Sequence, residues 1–256
     1  VFTLLVLVVL TLKPPEVQER YDQAVKLVQQ GQAAAAENLM REAVMKFPDE
    51  APLWRLLGVT QAQQGRLNDA VESFTRACNL NASLPDACYY LGRALYSVNR
   101  FADAIDPLKK AIRMDPVKAR SETALAECYE ALGQSAEAEQ FFRWAIARKD
   151  RAYERALLAY ARFLIRAGRT EESLAPIRKA LDQNGNSAEA HFQWARVHLQ
   201  TGELEPALRS AERAVALEGS NGQYRLLLAR IYRRLGRDDD AEREEKAAVP
   251  LTAHQP

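Results

Sequence analysis

Residues 51–80 read APLWRLLGVTQAQQGRLNDAVESFTRACNL, two amphipathic stretches on either side of one glycine, Gly65. The same arrangement returns down the whole chain. Gly31, Gly65, Asn99, Gly133, Gly168, Gly202 and Gly236 follow one another at 34-residue steps, apart from one 35-residue step between Gly133 and Gly168. A helix that stops at such a point needs a residue with positive φ; glycine supplies it without a Cβ clash, and asparagine is its usual substitute. A fixed period of this length marks a chain built from stacked copies of one small unit.

With the turn residue at position fifteen of each unit, three further positions carry only small side chains. Position eight is Ala24, Gly58, Gly92, Ala126, Ala161, Ala195 and Ala229; position twenty is Ala36, Ala70, Ala104, Ala138, Ser173, Ala207 and Ala241. Position twenty-seven is Ala43, Ala77, Ala111, Ala145, Ala180, Ala214 and Ala248. Small residues let two antiparallel helices approach closely, and larger ones then fill the remaining space. Position seven (Leu57, Leu91, Leu125, Tyr160, Trp194, Leu228) and position twenty-four (Met40, Phe74, Leu108, Phe142, Ile177) supply that filling.

Trp54, Leu57, Gly58, Ala70, Phe74 and Ala77, and again Leu91, Gly92, Ala104, Ala111 and Pro116, resemble the tetratricopeptide repeat pattern. Arg20 and Gln23 at normally apolar slots, and Gln61 in place of the usual tyrosine, depart from it. The resemblance implies an all-α solenoid of antiparallel helix pairs wound into a right-handed superhelix with a concave groove. It places seven repeats at 17–50, 51–84, 85–118, 119–153, 154–187, 188–221 and 222–249, after an apolar segment 1–16 and before a tail 250–256. No single pair can bury its apolar face, so each copy completes its neighbour. The acidic run RDDDAEREEK, residues 237–246, puts Glu245 where earlier units are apolar, which suits either a polar terminal cap or an ordinary solvated helix. Pro107 and Pro176 fall inside second helices and are expected to bend or loosen them. Pro206 sits in a first turn, where proline is harmless. The extra residue of the long step falls in ARKDRAYE, residues 147–154, read as an irregular turn and a mild break between two halves.

The 35 basic side chains nearly balance the 34 acidic ones, so no global charge calls for nucleic acid. Cys78, Cys88 and Cys128 read as small buried fillers, with no CxxC pair for zinc or redox work. The run VFTLLVLVVLTLKPP, residues 1–15, is apolar from Val1 to Leu12, too short to span a bilayer and suited to a signal-peptide core or the remnant of an anchor. Export, to the periplasm or to an anchored position at the membrane, is the expectation drawn from it, with a cytoplasmic location as the alternative.

No catalytic constellation emerges: there is no phosphate loop and no GxSxG elbow. His191 and His198, seven residues apart, read as packing residues, because a zinc helix needs closer spacing and further ligands. No enzyme activity, cofactor or metal is expected. The resemblance implies that first helices build the groove wall, and there position nine reads Val25, Val59, Arg93, Glu127, Arg162, Arg196 and Arg230, which brings four arginines into one row. Arg155, Arg166, Arg233 and Arg234 join it, with Tyr89, Tyr96 and Phe192 among them. Guanidinium forks grip carboxylates and aromatic faces hold apolar side chains, so the wall suits a protein or extended peptide with acidic residues. The chaperone-tail clamp of the family is not preserved: the nearest registers, Arg55, Val59, Tyr90, Arg120, Ala124 and Tyr89, Arg93, Ala124, Arg155, Ala159, lack its amide donors. The expected function is a binding scaffold for assembly of a larger complex; a regulatory or adaptor subunit of a cytoplasmic enzyme and a self-associating structural element are the alternatives.

Overall fold

The computed structural model describes residues 15–80, 85–114, 119–150 and 152–252, which hold fourteen α-helices and no strand. The apolar run at 1–14 and residues 253–256 lie outside them. The helices fall into two compact units, divided at Pro116/Val117 rather than at the 35-residue step. The first contains α1 (Pro15–Gln29), α2 (Ala33–Lys46), α3 (Ala51–Gln63), α4 (Leu67–Leu80), α5 (Pro85–Ser97) and α6 (Phe101–Met114). The second contains α7 (Ala119–Ala131), α8 (Ser135–Arg148), α9 (Tyr153–Arg166), α10 (Thr170–Gln183), α11 (Ala188–Thr201), α12 (Leu204–Leu217), α13 (Gly222–Arg234) and α14 (Asp238–Thr252). Among the described residues no helix is long and apolar enough to cross a membrane.

One turn, repeated seven times, makes the pairs. Gly31, Gly65, Gly133, Gly168, Gly202 and Gly236 take φ between 72° and 83°, and Asn99 takes 60°. The amide of the following residue reaches back across each turn to a carbonyl of the first helix, as in Gln32 to Leu27, Arg66 to Gln61, Arg100 to Leu95 and Arg237 to Tyr232, at 2.8–3.0 Å. This is the Schellman closure, which satisfies helix-end carbonyls that would otherwise lack partners. Acids in the first turn of second helices, among them Asp69, Asp103, Glu137, Glu171 and Asp239, sit at the positive end of the helix dipole.

The small positions form the spine of the core. Every alanine at positions eight, twenty and twenty-seven, with Ser173, is at most 1% exposed. The filling residues Met40, Phe74, Leu108, Phe142 and Ile177 lie against them at 0–2%. Within each unit a second helix also packs on the first helix of the next pair, α2 on α3 and α4 on α5, then α8 on α9, α10 on α11 and α12 on α13. First helices touch their counterparts too: α1 meets α3 and α3 meets α5, while α9 meets α7 and α11, and α11 meets α13. Each unit thus has a layer of first helices and a layer of second helices.

Local departures from the expected pattern have physical reasons. Gln61 keeps the tyrosine slot by accepting a hydrogen bond from Ser73 Oγ at 2.7 Å, both residues being buried. α6 and α10 continue through Pro107 and Pro176. The long step ends α8 with Lys149 at φ 52°. Glu245, at the slot that is apolar in earlier units, is partly exposed and pairs with Arg233 at 2.7 Å. Buried Glu122 in α7 is gripped by Arg148 at the end of α8, whose Nε lies 3.1 Å from both carboxylate oxygens.

The cysteine reading needs correction. Cys128 is buried and free, but Cys78 and Cys88 form a disulfide with their Cα atoms 4.8 Å apart. It joins the last turn of α4 to the first turn of α5, so one repeat is covalently tied to the next.

Candidate binding face of the second unit

Position nine of a first helix is one turn after position five, and at this position Arg162 on α9 reaches carboxylates on the neighbouring first helices α7 and α11. In the second unit this places Arg162 on α9, Arg196 on α11 and Arg230 on α13 at equivalent places on neighbouring helices. Arg155, Arg166, Arg233, Arg234 and Phe192 belong to the same three helices. Tyr89, Arg93 and Tyr96 are in the first unit on α5, where Arg93 lies over the Tyr96 ring at 5.4 Å and Tyr89 is buried edge-on to Tyr90. The expected set is thus divided between two units.

Within the second unit the arginines are not equivalent. Arg166 forms a two-pronged pair with Glu130, at 2.7 and 2.6 Å. Arg162 lies between two carboxylates, Glu189 at 3.1 Å and Glu127 at 3.7 Å. Arg233 is engaged by Glu245. Arg162 and Arg166 thus tie α9 to its first-helix neighbours α7 and α11, and Arg233 ties α13 to its own second helix α14. Arg155, Arg230 and Arg234 are exposed and, among the described residues, form no ion pair.

Arg196 is the centre of the arrangement. Its Nη1 donates to Gln193 Oε1 at 2.9 Å, and its guanidinium lies 5.7 Å from the centre of the Phe192 ring. Gln193, 1% exposed, donates in turn to Glu189 Oε1 at 2.7 Å. Glu189 also accepts from the Tyr224 hydroxyl at 3.2 Å, and Tyr224 packs its ring 4.8 Å from Phe192. Burial pushes the Arg196 guanidinium below its ordinary pKa, and Arg166, Arg162 and Arg230 act in the same direction against Glu189. Burial, with Glu189 beside it, raises the Tyr224 phenol above its usual range. A half-buried cation crowded by like charges is stabilised by any carboxylate that reaches it.

Glu127 occupies the position-nine slot that arginine holds in the next three units, and that alternation of charge is the signal for its pairing with Arg162; Glu130, Glu189 and Gln193 are not singled out by the sequence. The two histidines pack as expected. His198 is 9% exposed and stands edge-on to Trp194 at 4.9 Å, and His191 Nε2 is 3.1 Å from the Gly185 carbonyl. Among the described residues no cluster of His, Cys, Asp and Glu is arranged to hold a metal ion.

Two family models described as tetratricopeptide repeat match residues 21–87, 89–153 and 192–256, and residues 154–197. No curated protein matches the chain. Among solved structures, a tetratricopeptide repeat protein from Parabacteroides merdae ATCC 43184 is 18% identical with a TM-score of 0.73, over 93% of this chain and 94% of that one. The structure of MamA is 25% identical, TM-score 0.56, over 63% and 94% of the two chains. YrrB, described as a TPR protein with an unusual peptide-binding site, is 19% identical, TM-score 0.50, over 72% and 95%. The family models cover nearly the whole run of helix pairs whose turns and small positions recur in one register, and the chain belongs to the tetratricopeptide repeat family.

Proposed function

We propose that the protein is a non-enzymatic scaffold that holds an acidic protein segment or extended peptide against the first-helix layer of its second unit, in an exported or membrane-tethered complex. The observation that carries this reading is the gathering of Arg162, Arg166 and Arg230 around half-buried Arg196, beside an aromatic ring. Charge-assisted hydrogen bonds to such a group contribute about 1.5–3 kcal/mol each, while exposed pairs contribute far less. The binding of peptides by YrrB, which shares the fold, is compatible with it. The extracytoplasmic placement is supported by the Cys78–Cys88 disulfide, a bond that persists in oxidising compartments, and by the apolar run from Val1 to Leu12.

Affinity capture from the native cell extract tests the reading, comparing wild type with an Arg196→Ala/Arg230→Ala double variant. Arg162 is left intact because it already holds Glu127 and Glu189. At about 0.15 M salt, where exposed charges beyond about 8 Å are screened, the account expects the wild-type partners to be largely lost from the variant. Recovery of the same partners at the same yield would refute it.

A further inference from the structure

The arginine cluster contains a carboxylate of its own. Glu189, in the first turn of α11, accepts a hydrogen bond from Gln193 of the same helix at 2.7 Å and from the Tyr224 hydroxyl of α13 at 3.2 Å, and it lies 3.1 Å from Arg162 of α9. Three consecutive first helices therefore meet at one acid. It also acts on half-buried Arg196, to which Gln193 links it. Its side chain is 34% exposed, so an incoming group can approach it from solvent. The repeat does not require an acid here. Glu189 is at position two of its unit, where the other units carry Gln18, Pro52, Asp86, Arg120, Arg155 and Gln223. A carboxylate in a first turn favours the helix dipole, yet the neighbouring first helices α9 and α13 form with arginine and glutamine in that slot.

What the acid adds is a negative charge among the guanidinium groups. One amide group and the two hydrogen bonds it makes separate Arg196 from the Glu189 carboxylate, so a second carboxylate bound on Arg196 is close enough for the two negative charges to repel. Arg162, already between Glu189 and Glu127, has little left to offer a ligand. We propose that Glu189 is a built-in competitor of the acidic segment: it holds Arg162, opposes a carboxylate on Arg196, and so sets how tightly this face binds. This rests on the acid-binding reading above and names the residue that regulates it. Glutamine at 189 separates this role from a purely organising one, because its amide oxygen can still accept from Gln193 and Tyr224 while the charge is gone. Alanine removes both.

Fluorescence anisotropy of the full chain tests it, with a fluorescein-labelled eight-residue peptide of alternating glutamate and alanine beside its glutamine–alanine counterpart. Wild type should prefer the glutamate peptide. Glu189→Gln, with an unchanged helical spectrum, should bind that peptide about fivefold tighter at about 0.15 M salt, and the gain should shrink near 1 M salt, where charges act over only about 3 Å. Its affinity for the glutamine peptide should stay as in wild type. Glu189→Ala should gain less than Glu189→Gln, since Gln193 and Tyr224 lose their acceptor. Glu171→Gln, an exposed acid in the first turn of the second helix α10, should change nothing. Unchanged or weaker binding of the glutamate peptide by Glu189→Gln, or an equal gain from Glu171→Gln, overturns the competitor role; if Arg196→Gln then still abolishes the wild-type preference, the acid-binding reading stands. A wild type that does not prefer the glutamate peptide overturns both.

Discussion

Replacing Gly92 by alanine will destabilise the first unit, although alanine is the better helix former by about 1 kcal/mol in a helix interior. Gly92 lies within α5, and a Cβ built on it meets Leu108 Cγ at 2.4 Å and Cδ2 at 2.6 Å. Leu108 is fully buried in α6, so it has no solvent side to move toward. Overpacking of that kind costs about 1–3 kcal/mol, which exceeds the propensity gain and sets the sign. The reverse change at the equivalent place in the second unit, Ala126→Gly, is also expected to be destabilising, by about 1 kcal/mol of lost propensity with a void beside the helix. Each helix pair is spaced to its own position-eight residue. Thermal melting followed by far-ultraviolet circular dichroism checks both, and a Gly92→Ala protein that melts above wild type would show that the α5–α6 approach is looser than described.

Arg148→Met is expected to destabilise the second unit strongly. Glu122 is 1% exposed, and Arg148 supplies the cation that its carboxylate meets there. Removing one member of a buried pair typically costs about 3–5 kcal/mol, because the remaining charge is left without compensation. The low end of that range applies, since the Arg148 side chain is 38% exposed and water reaches one side of the pair. Adding Glu122→Gln should recover much of the loss, as a neutral amide no longer demands a counter-charge. Denaturant melts of the wild type, both single variants and the double variant measure the coupling directly. Additive losses would mean that Glu122 and Arg148 contribute independently.

Much of the fold was legible because it depends on residue types with few alternatives. A turn that needs positive φ admits Gly or Asn, and Asn99 at φ 60° kept the period through the one unit without glycine at the turn. Helices in close approach admit Ala, Gly or Ser, and all three appear at the predicted slots. The disulfide was not legible: a separation of ten positions between Cys78 and Cys88 does not show that their Cα atoms, at the end of α4 and the start of α5, come within 4.8 Å. The division into two units at Pro116/Val117 left no mark in the period, which runs on across it. The arginine row could be read from the repeat, but not which arginines were already occupied. That depends on Glu127 and Glu189, which come from the units before and after Arg162 and meet it only when the helices are side by side.

The central claim is that the first-helix layer around Arg196 is the surface that meets the partner. Hydrogen–deuterium exchange of the full chain, with and without the partner recovered by affinity capture, tests this most directly. The account predicts added protection concentrated in α11 and α13. Protection confined to the second helices α10, α12 and α14, or to the first unit alone, would contradict it.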